Sequence, residues 1–243
     1  MKIIKLNAID STNSFLKNLS QDSTLENFTV VIAKEQTVGR GQHENKWQSE
    51  PHKNLTFSVF TNFLDLKITH KKYLNFAISL AIYDVLNSLE IKRLAIKWPN
   101  DIMAVNKKIC GILIANTFKG DKIKNTVIGI GLNVNQEKFP INIKNATSLK
   151  LETLKEFNLD EILSKILKEL QNKISFLNSK KYSFLEKEYL KVLYKKNIPT
   201  MFKNSRDEIF MGLIIGISKD GNLQIQLEDD SIKKFGIKEI SIL

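Results

Sequence analysis

The apolar positions of this chain repeat with two periods, which predict both strands and helices. Runs of consecutive or alternating apolar residues are typical of β-strands, and such runs occupy residues 3–9, 28–36, 55–60 and 126–135. Apolar residues spaced three or four apart are typical of amphipathic helices, and we expect helices at 70–90, at 159–177 and at 182–195. The helix at 70–90 is expected to pack on a sheet and to serve as scaffold.

A short helix is predicted directly after the first strand. Asp10-Ser11-Thr12-Asn13 offers side chains that suit a helix N-cap, and apolar residues follow at Phe15, Leu16 and Leu19. Asn158-Leu159-Asp160-Glu161 is a capping-box-like start for the helix at 159–177. A helix-capping role alone would explain the polar residues at 10–13 and at 158–161.

After Pro199 the pattern changes to a period of two. Leu223, Ile225 and Leu227 alternate with polar residues, and Asp220-Gly221 precedes them as a turn signal. This alternation predicts a small antiparallel barrel or sandwich of about 45 residues.

A hairpin is predicted in the middle of the chain, directly after Lys97-Trp98-Pro99-Asn100-Asp101. Two apolar runs, 102–105 and 109–115, are separated by Asn106-Lys107, which is expected to form a polar turn. Pro99 has a fixed φ and keeps Trp98 out of helical geometry, so the backbone aims Asn100 and Asp101. Gly111 in the second strand permits a close approach. Lys107 and Lys108 are, on this evidence alone, solvated turn residues.

A long polar loop follows the strand at 28–36. Gln36 ends that strand, Thr37-Val38-Gly39-Arg40-Gly41-Gln42 comes next, and Trp47 precedes the strand that starts at Leu55. Loops of about a dozen residues are uncommon unless they are functional, and two glycines flanking an arginine suit a flap that closes over a ligand. Arg40 offers forked donors for phosphate or carboxylate oxygens. The alternative interpretation is that Arg40 is a solvated surface residue without a ligand.

Two further signals do not identify a site. His43 and His52 lie in or near the loop, but no other histidine or cysteine stands at ligand spacing, so neither is interpreted as a metal ligand. Gly129 and Gly131 allow close contact with a flat ligand. They are not a dinucleotide fingerprint, because the third glycine and the following helix are missing.

Length and composition indicate an ordinary folded protein. The 243 residues, 42% of them apolar, suit a large domain at 1–196 and a small one at 197–243. No apolar run approaches the roughly 20 residues of a membrane span, and charges interrupt any signal-like start, so we expect a cytoplasmic protein without membrane contact. The single cysteine, Cys110, excludes an internal disulfide and is read as a small apolar residue of a buried strand.

The net charge of +11 raises the alternative of a basic nucleic-acid-binding protein without catalysis. Its distribution argues against this, since Arg40, Arg93 and Arg206 are the three arginines and the other 34 of the 37 cationic residues are lysines spread along the chain. A diffuse positive field is compatible with docking of an acidic protein substrate.

The glycine loop at 37–42 and the 97–101 segment with its hairpin together resemble the biotin protein ligases. In that family a Gly-Arg-Gly loop, a Lys-Trp-Pro-Asn-Asp box and a Lys-x-x-Gly strand recur in this order. The resemblance covers nearly the whole chain, and it implies an α+β fold with a mixed, largely antiparallel sheet flanked by helices, like class II aminoacyl-tRNA synthetases. The C-terminal part resembles, weakly, the SH3-like domain of bacterial members. Because the sequence begins at the first strand of the catalytic domain, without a helix-turn-helix, a ligase without a DNA-binding repressor role is expected.

The resemblance also implies a reaction. Biotin's carboxylate attacks the α-phosphate of ATP, pyrophosphate departs with Mg²⁺, and a lysine of a biotin carboxyl carrier protein attacks the resulting biotinyl-5′-AMP. The nearest enzyme alternative is a lipoate ligase, and the motifs favour biotin. Homodimer formation is compatible with the resemblance.

Site residues are carried over from the family by matching positions. Lys108 is expected to contact the biotin carboxylate and the α-phosphate, Arg40 and Lys97 to assist with phosphates, and Asp101 to hold Mg²⁺ or to orient a lysine. The implied biotin-binding residues are Ser11, Thr12, Asn13, Gln36, Gly39, Arg40, Gly41, Gln42, Trp47, Lys108 and Gly111. The implied ATP and adenylate contacts are Arg40, Lys97, Asn100, Asp101, Lys108 and Asn133. Gln42 departs from the family, which often has a basic residue there that helps hold the intermediate.

Overall fold

The structure is a computed structural model that describes residues 1–42, 45–141, 143 and 145–243. It contains two sheets. The main sheet is formed by β1 (Ile3–Ile9), β2 (Thr29–Gln36), β3 (Leu55–Lys67), β4 (Leu94–Lys97), β5 (Asp101–Ala104), β6 (Lys107–Lys119) and β7 (Lys122–Leu132). The C-terminal sheet is formed by β8 (Pro199–Asn204), β9 (Ile209–Ile217), β10 (Leu223–Gln226), β11 (Ile232–Phe235) and β12 (Ile240–Ile242). The helices are α1 (Thr12–Asp22), α2 (Lys71–Asn87), α3 (Leu149–Thr153), α4 (Leu159–Asn178) and α5 (Tyr182–Lys191).

The main sheet is mixed, as the sequence analysis expects. Its strand order is β1-β2-β3-β7-β6-β5-β4. The β1–β2 pair is parallel, and every other neighbouring pair is antiparallel. Helices α2, α4 and α5 cover one face with a continuous apolar core, while α1 packs on the other face over a smaller cluster around Leu16 and Phe60. The predicted α+β fold with a helix-flanked sheet is confirmed.

Polar side chains begin two helices as their sequence predicts. Ser11 is the N-cap of α1, and its side chain accepts a hydrogen bond from the Ser14 amide. The side chain of Asn158 caps α4 by accepting from the amides of Asp160 and Glu161. Such caps satisfy backbone donors that have no partner within the helix.

The turn of the central hairpin lies one residue earlier than predicted. Val105 and Asn106 form it with φ values of 46° and 69°, and Lys107 already belongs to β6, where it pairs with Ala104. A two-residue hairpin turn favours positive φ at both central positions, because its twist then matches that of the strands. Asn106 tolerates this geometry well, and its Oδ1 accepts a hydrogen bond of 2.9 Å from the Tyr194 hydroxyl.

Residues 192–198 form turns and isolated β-bridges rather than a helix, so the predicted helix at 182–195 is too long. The amide of Ile96 donates to the Val192 carbonyl at 2.8 Å, and the amide of Tyr194 donates to the Ile96 carbonyl at 2.9 Å. These bonds cover the free edge of β4, and hydrogen bonding to an edge strand outweighs continuation of the helix. β4 and α3 were not predicted because four or five residues are too few to display a period.

The C-terminal sheet is antiparallel, with the order β11-β10-β9-β8-β12. Among the described residues β11 and β12 do not pair, so a closed barrel is not formed. Inner residues of this sheet, including Phe202, Ile214 and Ile217, belong to the same apolar core as the main sheet and its helices. Within the described part of the chain, no helix is both long and apolar enough to cross a membrane.

Candidate active site

A cavity of about 130 Å³ lies on the face of the main sheet where the two motifs meet. It is bounded by the start of α1, the loop between β2 and β3, the turn before β5, and the middle of β6 and β7. Its lining residues are Ser11, Thr12, Asn13, Gln36, Arg40, Gly41, Gln42, Asn45, Lys46, Trp47, Phe57, Ser58, Asn100, Asp101, Lys108, Gly111, Ile112, Leu113, Gly129, Ile130 and Gly131.

One end of the cavity is a small hydrogen-bonded network. The side-chain oxygen of Gln36 accepts from the backbone amide of Thr12 at 2.8 Å and from its hydroxyl at 3.1 Å. The Thr12 and Ser58 hydroxyls lie 2.9 Å apart. Asn13 is buried, and its Nδ2 has no hydrogen-bond partner among the described residues. Since burial of an unpaired donor is costly, Asn13 is well suited to bind a ligand acceptor here.

The glycine loop folds back on itself beside this network. The amide of Gly41 donates to the Asn45 carbonyl at 2.7 Å, and the amide of Trp47 donates to the Gly39 carbonyl at 2.9 Å. A Cβ on Gly39 would lie 2.3 Å from the Trp47 carbonyl oxygen, so a side chain there would force the loop apart. Gly39 therefore shapes the loop from outside the cavity lining. His43, which the sequence analysis considered, lies outside the described residues.

The indole of Trp47 lies flat against two glycines of the sheet. Gly111 and Gly131 are register partners in β6 and β7. A Cβ on Gly131 would lie 2.3 Å from Trp47 Cε2, and a Cβ on Gly111 would lie 3.1 Å from its Cζ3. The close approach expected at Gly111 is thus made by a side chain of the same protein.

Lys108 and Asp101 form an ion pair at the other end of the cavity. The Lys108 Nζ lies 2.7 Å from the Asp101 Oδ1 and 5.7 Å from the centre of the Trp47 ring. The two side chains are 36% and 24% exposed, so the pair is held at the cavity yet remains accessible. Lys107 is exposed and does not line the cavity. An ammonium in this position can neutralise converging anions.

The predicted adenylate residues are only partly brought together. Asn100 lines the cavity, and its Nδ2 donates to the Ile112 carbonyl at 2.6 Å. Lys97 is the register partner of Asp101 but does not line the cavity. Asn133 is also outside the lining; its Nδ2 donates to the Thr147 carbonyl at 2.9 Å. Its Oδ1 is buried and has no partner among the described residues, which leaves one acceptor for a ligand amine.

Several lining residues were not predicted as site residues from the sequence, among them Phe57, Ser58 and Ile112. Phe57 and Ser58 lie in residues 55–61 of β3, which are all buried, so exposure does not distinguish the face of the strand that lines the cavity. Cys110 is buried next to Gly111, and this burial raises the pKa of its thiol far above the usual range. As predicted, the cysteine is a packing residue, and its thiol is protonated at neutral pH.

Comparison with known proteins agrees with this geometry. Residues 6–133 match the model of the Biotin/lipoate A/B protein ligase family. Among similar proteins, the bifunctional ligase/repressor BirA of Bacillus spizizenii is 32% identical over 150 residues, which are 60% of this chain and 46% of that protein. The biotin–[acetyl-CoA-carboxylase] ligase of Mycobacterium tuberculosis is 31% identical over 169 residues, 68% of this chain and 60% of that protein. The chain spans about half the length of the first of these relatives.

A solved structure extends the similarity to the whole chain. The biotin protein ligase of Aquifex aeolicus, in complex with biotin and ATP, superposes with a TM-score of 0.80 at 27% identity, covering 100% of this chain and 98% of that one. The family match takes in more than half of the chain, including the glycine loop, the 97–101 box and β6. The chain therefore belongs to the biotin/lipoate A/B protein ligase family.

Proposed function

We propose that this protein activates biotin with ATP and transfers it to a lysine of a biotin carboxyl carrier protein. One observation supports this most directly: the Lys108 ammonium, paired with Asp101, lines the same cavity as the neutral groups of Thr12 and Ser58, and Ser58 lies level with Leu113, five residues along β6 from Lys108. A neutral polar end suits the ureido ring of biotin, and a cationic end suits its carboxylate. Biotin and ATP, with which the Aquifex aeolicus ligase forms a complex, fit the same arrangement.

The first step is assisted by charge neutralisation. A carboxylate oxygen of biotin attacks the α-phosphorus of ATP, a P–O bond forms, and the bond to pyrophosphate breaks. Both reactants are anions, so Lys108 and Arg40 lower the barrier by reducing their repulsion and fixing their approach. Mg²⁺ enters with ATP as part of the substrate and neutralises the departing pyrophosphate. Asp101 is suited to hold Lys108 in place or to ligate the ion, because Mg²⁺ is commonly bound by one or two carboxylates plus phosphate oxygens.

The second step transfers the biotinyl group. The neutral amine of an acceptor lysine attacks the anhydride carbonyl, AMP leaves, and the amine loses its proton. Asn133 is proposed to contact the adenylate through its free Oδ1, and Lys97 to assist with phosphates from the strand beside Asp101. Trp47 is proposed to cover the bound intermediate, since its indole already lies at the cavity.

Exchange of labelled pyrophosphate into ATP tests the proposal. Exchange that requires biotin, and label from biotin appearing on a carrier domain, are the expected results. Exchange that requires lipoate instead would reassign the substrate within the same family, and DNA binding without any exchange would contradict the enzyme function. A cytoplasmic location, the absence of DNA as a partner and a homodimer remain predictions.

A further inference from the structure

The turn Trp98–Asn100 joins β4 to β5 and lies between the cavity and the C-terminal sheet. Lys97 and Asp101 on either side of it are register partners, so the turn is tight. Asn100 and Asp101 line the cavity, and Asp101 pairs with Lys108. The position of this turn therefore decides where the Asp101–Lys108 pair lies.

Hydrogen bonds from three directions hold the turn. Asn75 of α2 donates from its Nδ2 to the Pro99 carbonyl at 2.6 Å. Asn100 exchanges two bonds with Ile112 of β6, one of 2.6 Å from its side chain and one of 3.0 Å to its carbonyl. The third direction is the C-terminal sheet, where the Gly221 carbonyl accepts a bond of 3.0 Å from the indole N–H of Trp98.

The Gly221 carbonyl is itself held in place. Gly221 has a φ of 90°, which favours glycine, and its amide donates to the Ser218 carbonyl at 3.0 Å. The same Ser218 carbonyl accepts from Lys72 of α2 at 3.3 Å, while Lys72 pairs with Glu186 of α5 at 2.7 Å. The Lys72 side chain is only 7% exposed. The acceptor for Trp98 is thus presented by a loop that is hydrogen-bonded to α2 through Lys72, whose ammonium is in turn paired with α5.

A cleft of about 330 Å³ lies beside this bond. Its lining includes Trp98, Pro99 and Asn100 of the turn and residues 220–222 of the C-terminal loop. Gln42 of the glycine loop borders both this cleft and the cavity. The turn and the C-terminal loop therefore border a cleft that adjoins the cavity.

We infer that Trp98 is a positioning residue for biotin activation, through which the C-terminal sheet fixes the turn that carries Asn100 and Asp101. The inference rests on the proposed function. Trp98 does not line the cavity, so it acts through its neighbours rather than by touching substrate. The network of Thr12 and Gln36 does not depend on this turn, and loss of the indole N–H should disturb the ATP side of the site selectively.

Three variants test the inference. Trp98→Phe keeps an aromatic ring but removes the N–H, whereas Trp98→His has a smaller ring and retains an N–H donor. Tyr194→Phe is the matched control, because it deletes a 2.9 Å hydrogen bond to Asn106 at the other turn of the same hairpin strand and leaves Trp98 untouched.

Selective kinetic effects are expected. In pyrophosphate exchange, Trp98→Phe should raise KM for ATP about tenfold and leave KM for biotin within about twofold, as loss of one preorganised hydrogen bond would do. Trp98→His should bring KM for ATP back to within about threefold of wild type, and Tyr194→Phe should stay within about twofold of it. Equal KM values for ATP in the wild type and Trp98→Phe, or equal defects in Trp98→Phe and Trp98→His, would overturn the inference.

Two further measurements keep the test decisive. Hydrogen exchange of the Ile112 amide, which donates to the Asn100 carbonyl, should accelerate in Trp98→Phe and not in Tyr194→Phe. The hydrogen-exchange measurement does not require catalysis, so it tests the positioning role independently of activity. If the wild-type protein shows no biotin-dependent pyrophosphate exchange, only the proposed function is contradicted. If Trp98→Phe does not fold, Lys72→Met loosens the Gly221 loop from its other side. The same selective rise in KM for ATP is then expected, and its absence overturns the inference.

Discussion

Two neighbouring lysines of β6 have different surroundings. Lys108 pairs with Asp101 and lines the cavity, while Lys107 is exposed beside Ala104. We predict that Lys108→Ala lowers biotinyl-5′-AMP formation by at least about 100-fold, as loss of one preorganised group at a developing charge commonly does. The measurement is pyrophosphate exchange, with circular dichroism to verify the fold.

Lys107→Ala is the control for this prediction, since it removes the same charge one residue away. Its rate should stay within about threefold of wild type, because an exposed charge is screened by water and salt. Equal losses in both variants would mean that Lys108 acts by general charge rather than by a specific contact.

Gln42 is the residue at which this chain departs from the commoner family pattern. Gln42 borders the cavity together with Lys46. Either the neutral Gln42 lets biotinyl-5′-AMP escape faster, or Lys46 supplies the positive charge that position 42 lacks. A charged hydrogen bond contributes roughly 1.5 to 3 kcal/mol against 0.5 to 1.5 for a neutral one, so an uncompensated loss raises escape of the intermediate by about tenfold. We predict slower release of biotinyl-5′-AMP from Gln42→Arg than from wild type.

Lys46→Ala separates the two explanations. Faster release from this variant would show that Lys46 supplies the missing charge. An unchanged rate in both Gln42→Arg and Lys46→Ala would show that position 42 takes no part in retention.

At the scale of elements, β6 and β7 form a flat surface, here called the floor, against which the indole of Trp47 packs. The floor exists because Gly111 and Gly131 face each other across the strand pair. We predict that Gly131→Ala weakens biotin binding at least about tenfold, because the added Cβ would lie 2.3 Å from the Trp47 ring and the indole must move. Titration calorimetry with biotin measures this.

Gly216→Ala is the matched control for the floor. It places the same methyl group in another strand, where the nearest atom would be 3.7 Å away, so binding should be unchanged. If both variants bind biotin like wild type, Trp47 is not part of the binding site.

The loop at 39–50 is the second element with a testable behaviour. Its contacts to the rest of the chain include the glycine floor under Trp47 and the bond of Glu50 to Gln136 at 3.0 Å. Because glycines and polar residues pack little until a ligand bridges them, we expect its amides to gain protection from hydrogen exchange when biotin and ATP are added. The same protection with and without ligands would contradict the flap hypothesis.

At the scale of the whole molecule, charge is the property most open to test. The net charge of +11 is spread over many lysines. If this field helps an acidic carrier domain to dock, raising salt should lower kcat/KM for the carrier about tenfold more than for pyrophosphate exchange, because salt screens long-range attraction. Equal salt dependence of the two reactions would exclude a steering role.

The whole molecule also shows how its two sheets act together. They share one apolar core. The segment after α5, residues 192–198, hydrogen-bonds to β4, and its Asn197 amide donates to the Ile214 carbonyl of β9 at 2.9 Å. A predicted boundary between residues 196 and 197 therefore falls in a segment that is bonded to both sheets. The boundary remains a prediction of where the sequence pattern changes, and the packing is continuous across it.

Local patterns in the sequence were sufficient for most elements and for the chemical character of the site. The caps at Ser11 and Asn158, the buried helix α2 and the glycine loop each follow from residues within a few positions of one another, and short-range propensities and periods report such features. The resemblance of the glycine loop, of the 97–101 box and of the Lys-x-x-Gly strand was enough to name Arg40, Asp101 and Lys108 as candidates.

The tertiary structure alone decided which residues meet. The opposition of Gly111 and Gly131 under Trp47 and the bond from Trp98 to Gly221 join positions far apart in the chain. No local period encodes such contacts, because they depend on strand order, on register and on how the two sheets pack. Asn133 and Lys97, which the resemblance assigns to the adenylate, lie outside the cavity lining, and their contact with the adenylate remains a prediction.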